Sequence, residues 1–367
     1  MRHSKQTQTR RDFLKTTAAG TTAALFGAPA IHAGTKTDSR IVLGSGDHQY
    51  EVTHDCVKLP SKFTWQTTHN VAVDKDGFLY VIHEGRADQT EHPSIFVFDP
   101  DGKYVRSFGK QFQGGGHGLE VRQEGNEQFL YVTAYQHLKT FAKLDLKGET
   151  VWQKFAPMES ELYAAGEATD PKKVWGIDRF LPTNFAFHSD GGFYLADGYG
   201  AYQIHRYDKD GKWLFAFGGK GKEDGKFNLP HGLWIDDRPG REPSVVVADR
   251  ANARLQWFTL DGKHLQTMTG FILPANLDTY KDVLLVPDLA SRITLLDADN
   301  KVIAHLGQDP EWEKAMKTAK PRMRETPDKW QAGRFVHPHD ACFDQDGNIF
   351  VAEWVATGRI TKLKRLG

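Results

Sequence analysis

The sequence has little of three things: cysteine, net charge and long apolar runs. It contains two cysteines in 367 residues, and 47 basic side chains balance 47 acidic ones. Two cysteines exclude a disulfide-rich scaffold. The balanced charge lacks the basic excess of nucleic-acid binders, so we expect no nucleic-acid partner. No stretch after the N-terminal segment is apolar and long enough to cross a bilayer, so we expect no stable membrane span.

The first 33 residues are predicted to be an export signal. They carry five basic side chains and one acid, whereas the rest of the chain carries 42 basic and 46 acidic ones. Arg10 and Arg11 precede a weakly apolar stretch that ends in small residues, and this pattern resembles a twin-arginine signal cleaved after Ala30 or Ala33. We therefore predict a periplasmic or secreted protein whose partner during export is the twin-arginine translocase.

An exported protein is exposed to an oxidising compartment, which bears on the two cysteines. Cys56 and Cys342 lie near the two ends of the mature chain. They could form one disulfide that joins the ends, or they could be two separately buried thiols. The sequence leaves both possibilities open.

From residue 68 onward the chain repeats one pattern: two short apolar strands joined by an Asp-Gly turn, a polar loop, and two more strands. Strands of this length with Asp-Gly turns are hairpin signals, and a period of forty to fifty residues indicates an array of repeats. The repeats begin at His69, His117, Thr183, His231, Ala275 and His339. Six such units predict an all-β, six-bladed β-propeller over residues 68–367, preceded by a lead-in over residues 34–67.

Two further features of the repeats have structural interpretations. The D-x-D-G segments lack the remaining ligands of a calcium loop, so we interpret them as turns. Arg254, Arg292 and Arg359 recur at one repeat position, which favours a structural role. Two insertions, residues 157–180 and 308–335, join successive blades and are predicted to form loops or helices on one face, around the channel mouth.

Four of the six repeats begin with histidine: His69, His117, His231 and His339. In a propeller this position lies at the mouth of the central channel, and blades two, four and six are about 120° apart. Three imidazoles that converge on the axis provide the ligands of a catalytic zinc ion with one position open for substrate. A shared structural habit of the repeat is the alternative, although the third and fifth repeats do without histidine.

The blades resemble NHL repeats, and the segments GGGHGLEV, FYLADGYG, LPHGLWIDD and HPHDACFDQDGNIFVAE are similar to the peptidyl-α-hydroxyglycine α-amidating lyase family. That family uses six blades to cleave a carbinolamide to an amide and glyoxylate. The resemblance implies the following ligands and roles: zinc at His117, His231 and His339; a structural calcium at Asp340 and the backbone carbonyls of Val71 and Leu119; and a general base or alkoxide at Tyr199.

The chain also departs from the family's pattern. The resemblance implies a functional arginine in blade one, for which Arg86 stands about two positions from the expected place. Arg179 and Arg250 lie in channel-face loops and are alternatives for binding an anionic group. His69 adds a fourth channel histidine, which either closes the metal site or hydrogen-bonds to it.

These features predict an exported metal-dependent lyase that cleaves a carbon–nitrogen bond in an α-hydroxylated amide or hemiaminal, with a small or peptide-like substrate. One alternative is a non-catalytic NHL propeller that binds a protein or small ligand. Another is a lactonase-type metallohydrolase, although such propellers coordinate metal through carboxylates and Asn rather than three histidines. The substrate, the native metal and the oligomeric state stay open.

Overall fold

A computed structural model of the chain describes residues 40–86, 88–169 and 174–367. The predicted export signal and the first residues of the lead-in lie outside the described residues. The described chain forms one compact unit from Arg40 to Gly367.

The described strands form six antiparallel sheets, five of four strands and one of five. The predicted six-bladed β-propeller is therefore confirmed. The sheets, in chain order, contain these strands: β3 (Thr68–Val73), β4 (Leu79–His83), β5 (Ile95–Phe98) and β6 (Tyr104–Phe108); β7 (Gly116–Glu124), β8 (Glu127–Tyr135), β9 (Lys139–Asp145) and β10 (Thr150–Lys154); β11 (Phe185–Phe187), β12 (Phe193–Asp197), β13 (Gln203–Tyr207) and β14 (Trp213–Gly218); β15 (Pro230–Asp236), β16 (Ser244–Asp249), β17 (Arg254–Phe258) and β18 (His264–Met268); β19 (Asp278–Tyr280), β20 (Val283–Asp288), β21 (Arg292–Leu296) and β22 (Val302–Leu306); β23 (Pro338–Phe343), β24 (Ile349–Glu353) and β25 (Arg359–Arg365), joined by β2 (His48–Thr53) and β1 (Val42–Ser45).

The sixth blade is completed by the lead-in. Strand β2 pairs with β25, with Tyr50 opposite Arg365, and β1 pairs with β2. The two ends of the described chain therefore meet in one sheet. The repeat pattern did not predict these strands, because they precede the first repeat and form their partnership only in the tertiary structure.

The cores lie between neighbouring blades, because the inner strands of each blade bury side chains on both faces of the sheet. The cluster around Tyr131 and Phe193 joins blades two and three, and the cluster around Val71 and Phe350 joins blades six and one. The other four blade junctions have equivalent clusters. Packing therefore continues around the whole ring, as a radial array of blades requires.

The D-x-D-G segments are turns, as predicted. In the first, the Gly77 amide donates to the Asp74 carbonyl at 3.0 Å, and the Asp74 carboxylate accepts from the amides of Asp76 and Phe78. Gly77 has a φ of 82°, a conformation that favours glycine. The aspartate oxygens are thus used by the turn's own backbone.

The second insertion contains the one described α-helix, α1 (Pro310–Thr318). Asp309 caps it, because its side chain accepts from the amides of Glu311 and Trp312. Short 3-10 helices cover Lys110–Phe112, Met158–Ser160, Arg250–Asn252, Met323–Glu325 and Pro327–Lys329. Over the described part of the chain, no helix has the length and apolar character needed to cross a membrane. Cys56 and Cys342 are free thiols.

Candidate metal centre

Four histidines meet at the start of the innermost strands. His69, His117, His231 and His339 are at most 2% exposed. Neighbouring ring centroids around this group are 4.6 to 4.8 Å apart, and the His117 and His339 rings are 5.1 Å apart across it. The structure therefore brings the predicted imidazoles together on the channel axis.

Three of these rings have the same orientation, which is set by a hydrogen bond to the next blade. Nδ1 of each ring lies near a backbone carbonyl oxygen: 3.0 Å for His117 and Thr183, 2.6 Å for His231 and Ala275, and 2.8 Å for His339 and His69. A carbonyl oxygen only accepts, so Nδ1 carries the proton and Nε2 keeps its lone pair. Such bonds orient histidine ligands in metal sites.

The Nε2 atoms form a donor set that fits a cation. Nε2 of His117 and Nε2 of His231 are 3.1 Å apart, so two lone pairs face each other, and the Tyr199 hydroxyl can donate to only one of them. Nε2 of His339 is buried without a hydrogen-bond partner among the described residues. A metal ion shared by these nitrogens would satisfy all three.

His69 is held differently. Its Nε2 accepts from the indole N–H of Trp354 at 3.2 Å and lies 3.4 Å from the Glu84 carboxylate. An indole only donates, so the His69 lone pair on Nε2 is already used. His69 is nevertheless a candidate ligand, because its Nδ1 is buried without a hydrogen-bond partner among the described residues. Ligand atoms of His69, His117 and His339 all lie within 4.8 Å of one another, so these three form a possible metal triad as well.

Burial keeps His231 and His339 neutral. The pKa of His231 is lowered well below its usual value by burial, and further by Arg250 and His117. The pKa of His339 is lowered by burial and by the neighbouring histidines. Metal ligation requires neutral imidazole, so the protein environment favours the ligating form at neutral pH.

Tyr199 lies at this centre, where the sequence predicted it. Its hydroxyl is 3.1 Å from Nε2 of His117 and 2.9 Å from Nε2 of His231, and it accepts from the Arg250 guanidinium at 3.1 Å. Burial raises the Tyr199 pKa, while Arg250 acts in the opposite direction. The turn holds its position because the Asp197 carboxylate accepts from the amides of Gly200 and Ala201.

The three candidate arginines have different surroundings. Arg250 is 8% exposed and contacts Tyr199. Arg86 forms an ion pair with Asp88 at 2.8 Å, and its side chain is 60% exposed. Arg179 pairs with the buried Glu167 at 3.2 Å. The structure therefore brings Arg250 to the centre, and the sequence signal for it was its place directly after β16, on the channel face.

A second group of polar residues lines a cavity of about 120 Å³ in the channel. Asp340 accepts from the amide of Val71 at 2.8 Å and from the Asn276 side chain. Two carboxylates that sequence reasoning missed, Glu120 and Asp278, line the same cavity. No lysine or arginine is among the described residues that line it, so the buried Glu120 and Asp340 and the half-buried Asp278 have no cationic side chain beside them.

Burial changes the titration of this group. The pKa values of Asp278 and Asp340 are both raised to about 7 by burial, and the Glu120 pKa is raised well above its usual value. A divalent cation would compensate the buried negative charge, and oxygen ligands suit calcium. The predicted carbonyl ligands, Val71 and Leu119, lie on β3 and β7 beside this cavity, and the calcium site stays a prediction.

The chain is a six-bladed β-propeller with a buried histidine group that could hold a metal ion, and it is similar to several known proteins. Peptidyl-glycine alpha-amidating monooxygenase A of Xenopus laevis is 29% identical over 177 residues, which cover 46% of this chain and 17% of that protein. NHL repeat-containing protein 3 of Homo sapiens is 29% identical over 209 residues, 56% of this chain and 55% of that protein. A probable peptidyl-alpha-hydroxyglycine alpha-amidating lyase of Caenorhabditis elegans is 24% identical, covering 54% of this chain and 57% of that protein.

These similarities confirm the predicted resemblance to NHL-repeat and amidating-lyase proteins. No family model matches the chain. The chain spans less than a fifth of the Xenopus protein and about half of the other two relatives. Two solved structures share the fold: virginiamycin B lyase from Staphylococcus aureus (TM-score 0.54, 12% identity, 86% of this chain and 100% of that chain) and a Xanthomonas campestris gluconolactonase (TM-score 0.55, 12% identity, 89% and 95%).

Proposed function

We propose that this protein is a metal-dependent lyase that cleaves the carbon–nitrogen bond of an α-hydroxylated amide to give an amide and glyoxylate or a related aldehyde. The observation that carries the proposal is the convergence of His117, His231 and His339 beside Tyr199 and Arg250. The proposal takes zinc as the metal at the three histidines and calcium as the structural cation at Asp340. The printed names of two relatives, which refer to amidation, support the reaction class.

The side chains have separate tasks in this reaction. A bound zinc ion supplies a Lewis acid that makes the substrate hydroxyl more acidic. Arg250, buried at the centre, binds the carboxylate beside the carbinol carbon. Tyr199 moves the proton from the carbinol oxygen to the amide nitrogen while the C=O bond forms and the C–N bond breaks, with its electron pair going to nitrogen. The Tyr199 hydroxyl lies 3.1 Å from Nε2 of His117 and 2.9 Å from Nε2 of His231, which supports this role.

Export and location belong to the same proposal. Twin-arginine translocation transports folded proteins, so a propeller loaded with metal in the cytoplasm would reach the periplasm or the exterior with its metal in place. Arg10 and Arg11 in the N-terminal segment support this step. Mutation of both arginines to lysine should retain the protein in the cytoplasm, as shown by cell fractionation.

The lactonase alternative has one observation in its favour. Glu120 accepts from Asn184 at 2.9 Å, and Asp340 accepts from Asn276, so carboxylate and Asn side chains meet in the channel. This is the ligand chemistry of lactonase-type propellers. Calcium-dependent hydrolysis of a sugar lactone, abolished by Glu120→Gln and retained by His339→Ala, would support it against the lyase.

Metal content and glyoxylate release together test the lyase proposal. We expect about one zinc per chain in protein purified from cytoplasm, measured by mass spectrometry after dialysis. His339→Ala should lose it, whereas the matched variant His69→Ala should retain it, because the His69 Nε2 lone pair is used by Trp354. Loss in His69→Ala with retention in His231→Ala would establish the other triad.

The activity arm uses N-benzoyl-α-hydroxyglycine. The zinc-loaded protein should release glyoxylate, and Tyr199→Phe should lower kcat by about 100-fold or more, as expected for loss of a proton-transferring group. A zinc-loaded wild-type protein that releases no glyoxylate would refute the lyase. A wild-type protein without bound metal would favour the non-catalytic binding propeller.

A further inference from the structure

Exposed large apolar side chains in the described chain fall into three groups. Four lie singly at or beside strand ends: Val42, Phe155, Val302 and Leu366. Four share one repeat position, the second residue of a blade's outermost strand: Val105, Val151, Leu214 and Leu265. Recurrence at one position explains these by the geometry of the repeat. Three others lie close together inside the first insertion: Val174, Trp175 and Ile177, which are 42%, 60% and 61% exposed. We call these three residues the apolar lip.

The apolar lip borders the candidate metal centre. The Trp175 ring is perpendicular to the Tyr199 ring, with centroids 5.8 Å apart. Tyr199 in turn contacts two of the histidines and Arg250. An apolar group on a molecule held at Tyr199 would therefore lie near the Trp175 ring.

The insertion that carries the lip is anchored at both of its ends by buried polar contacts. Glu167 is 3% exposed, and its carboxylate accepts from Lys139 at 2.6 Å and from the Phe180 amide at 2.9 Å. Tyr163 donates to Asp197, the residue that holds the Tyr199 turn. The insertion and the Tyr199 turn thus share one support at Asp197.

We propose that the apolar lip is the specificity surface of the site and binds a bulky apolar acyl group on the substrate. The inference rests on the proposed lyase function, which places the carboxylate at Arg250 and the carbinol at Tyr199. The acyl group is then the remaining part of the substrate, and exposed apolar surface beside a polar site favours an apolar occupant. The substrate class is an N-acyl-α-hydroxyglycine with an aromatic or large aliphatic acyl side.

Binding of unreactive analogues tests the lip without requiring turnover. Calorimetry would compare N-benzoylglycine with N-acetylglycine, which differ in the acyl group and lack the reacting hydroxyl. Trp175→Ala should weaken N-benzoylglycine binding about tenfold, the effect expected for loss of one aromatic contact, and N-acetylglycine binding less than twofold. Trp175→Phe, which keeps an aromatic ring, should retain most of the affinity for N-benzoylglycine. The control, Leu265→Ala, removes a side chain of similar exposure from an outer strand and should change the affinity for neither analogue.

The outcomes separate this inference from the lyase proposal. Equal weakening of both analogues by Trp175→Ala would overturn the lip, because it would mean that Trp175 only supports Tyr199. No preference of the wild type for the benzoyl analogue would also overturn it and would favour a protein partner for the exposed surface. Selective benzoyl binding without glyoxylate release would support the lip as a binding surface and refute the lyase alone.

Discussion

Single hydrogen bonds hold the channel histidines in different ways. His117, His231 and His339 each donate Nδ1–H to a carbonyl of the next blade, so their Nε2 lone pairs point inward. His69 has the same place in its repeat but accepts from Trp354. Equivalent positions in the sequence are therefore not equivalent donors.

The candidate arginines also differ in their surroundings, and this difference can be tested by mutation. Arg250→Ala should lower kcat/KM for glyoxylate release by about 10- to 100-fold, because it removes a charged hydrogen-bond donor from a buried centre. Most of the change should be in KM, since the arginine binds the carboxylate. Steady-state assays with unchanged circular dichroism would establish this.

Arg86→Ala is the matched comparison and should change kcat/KM less than twofold, because Arg86 is exposed and paired with Asp88. The opposite ranking of the two variants would restore Arg86 as the functional arginine that the resemblance implies.

At the scale of elements, one buried ion pair recurs in three blades. It joins an acidic residue at the end of the blade's second strand to an arginine at the start of its third strand. Arg254 lies 2.7 Å from Asp249, and Arg292 lies 3.5 Å from Asp288. Arg359 pairs with Glu353 in the sixth blade. The predicted structural role of these arginines is confirmed, and each pair holds the loop between two strands on the channel face.

Breaking one such pair should be costly. Arg359→Ala leaves the fully buried Glu353 carboxylate without its cation, so we expect the free energy of unfolding to fall by about 3–5 kcal/mol. Lys103→Ala removes an exposed ion pair with Asp101 and should change the free energy of unfolding by less than about 1 kcal/mol. Urea unfolding followed by tryptophan fluorescence measures both, and similar losses in the two variants would contradict the structural role.

At the scale of the whole molecule, the ring depends on contacts between segments that are distant in the chain. Strand β2 completes the sixth blade, and the channel cavity gathers Glu120, Asp278 and Asp340 from three different blades. Three carboxylates around one cavity, two of them buried, cost free energy when all are ionised, unless a cation joins them. The cavity is therefore where stability, pH and calcium should be coupled.

The pH dependence of the calcium-free protein follows from the raised pKa values. Asp278 and Asp340 titrate near 7 in the folded chain but near 3.8 when unfolded, so the folded state holds protons that the unfolded state has lost between these values. Stability should therefore fall as pH rises from about 4 to 7 in EDTA. Thermal unfolding at several pH values measures this.

Added calcium should reduce that fall and raise Tm most at pH 7 and above, where the carboxylates must ionise. Asp278→Asn should weaken the pH dependence in EDTA. Parallel curves with and without calcium would show that no calcium binds at this cavity.

The six-bladed architecture, the turns and the inward histidines were predictable because they are local: strand periodicity, Asp-Gly turns and repeat spacing are properties of short segments. The position of Tyr199 followed from its motif. The sequence by itself therefore determined the ring, its repeat and the residue types at its axis. Only the tertiary structure decided the rest: the contact of Arg250 with Tyr199, the hydrogen bond from Trp354 to His69, the closure by β2, and the cluster of Glu120 with Asp278. Each depends on a contact between residues far apart in the chain.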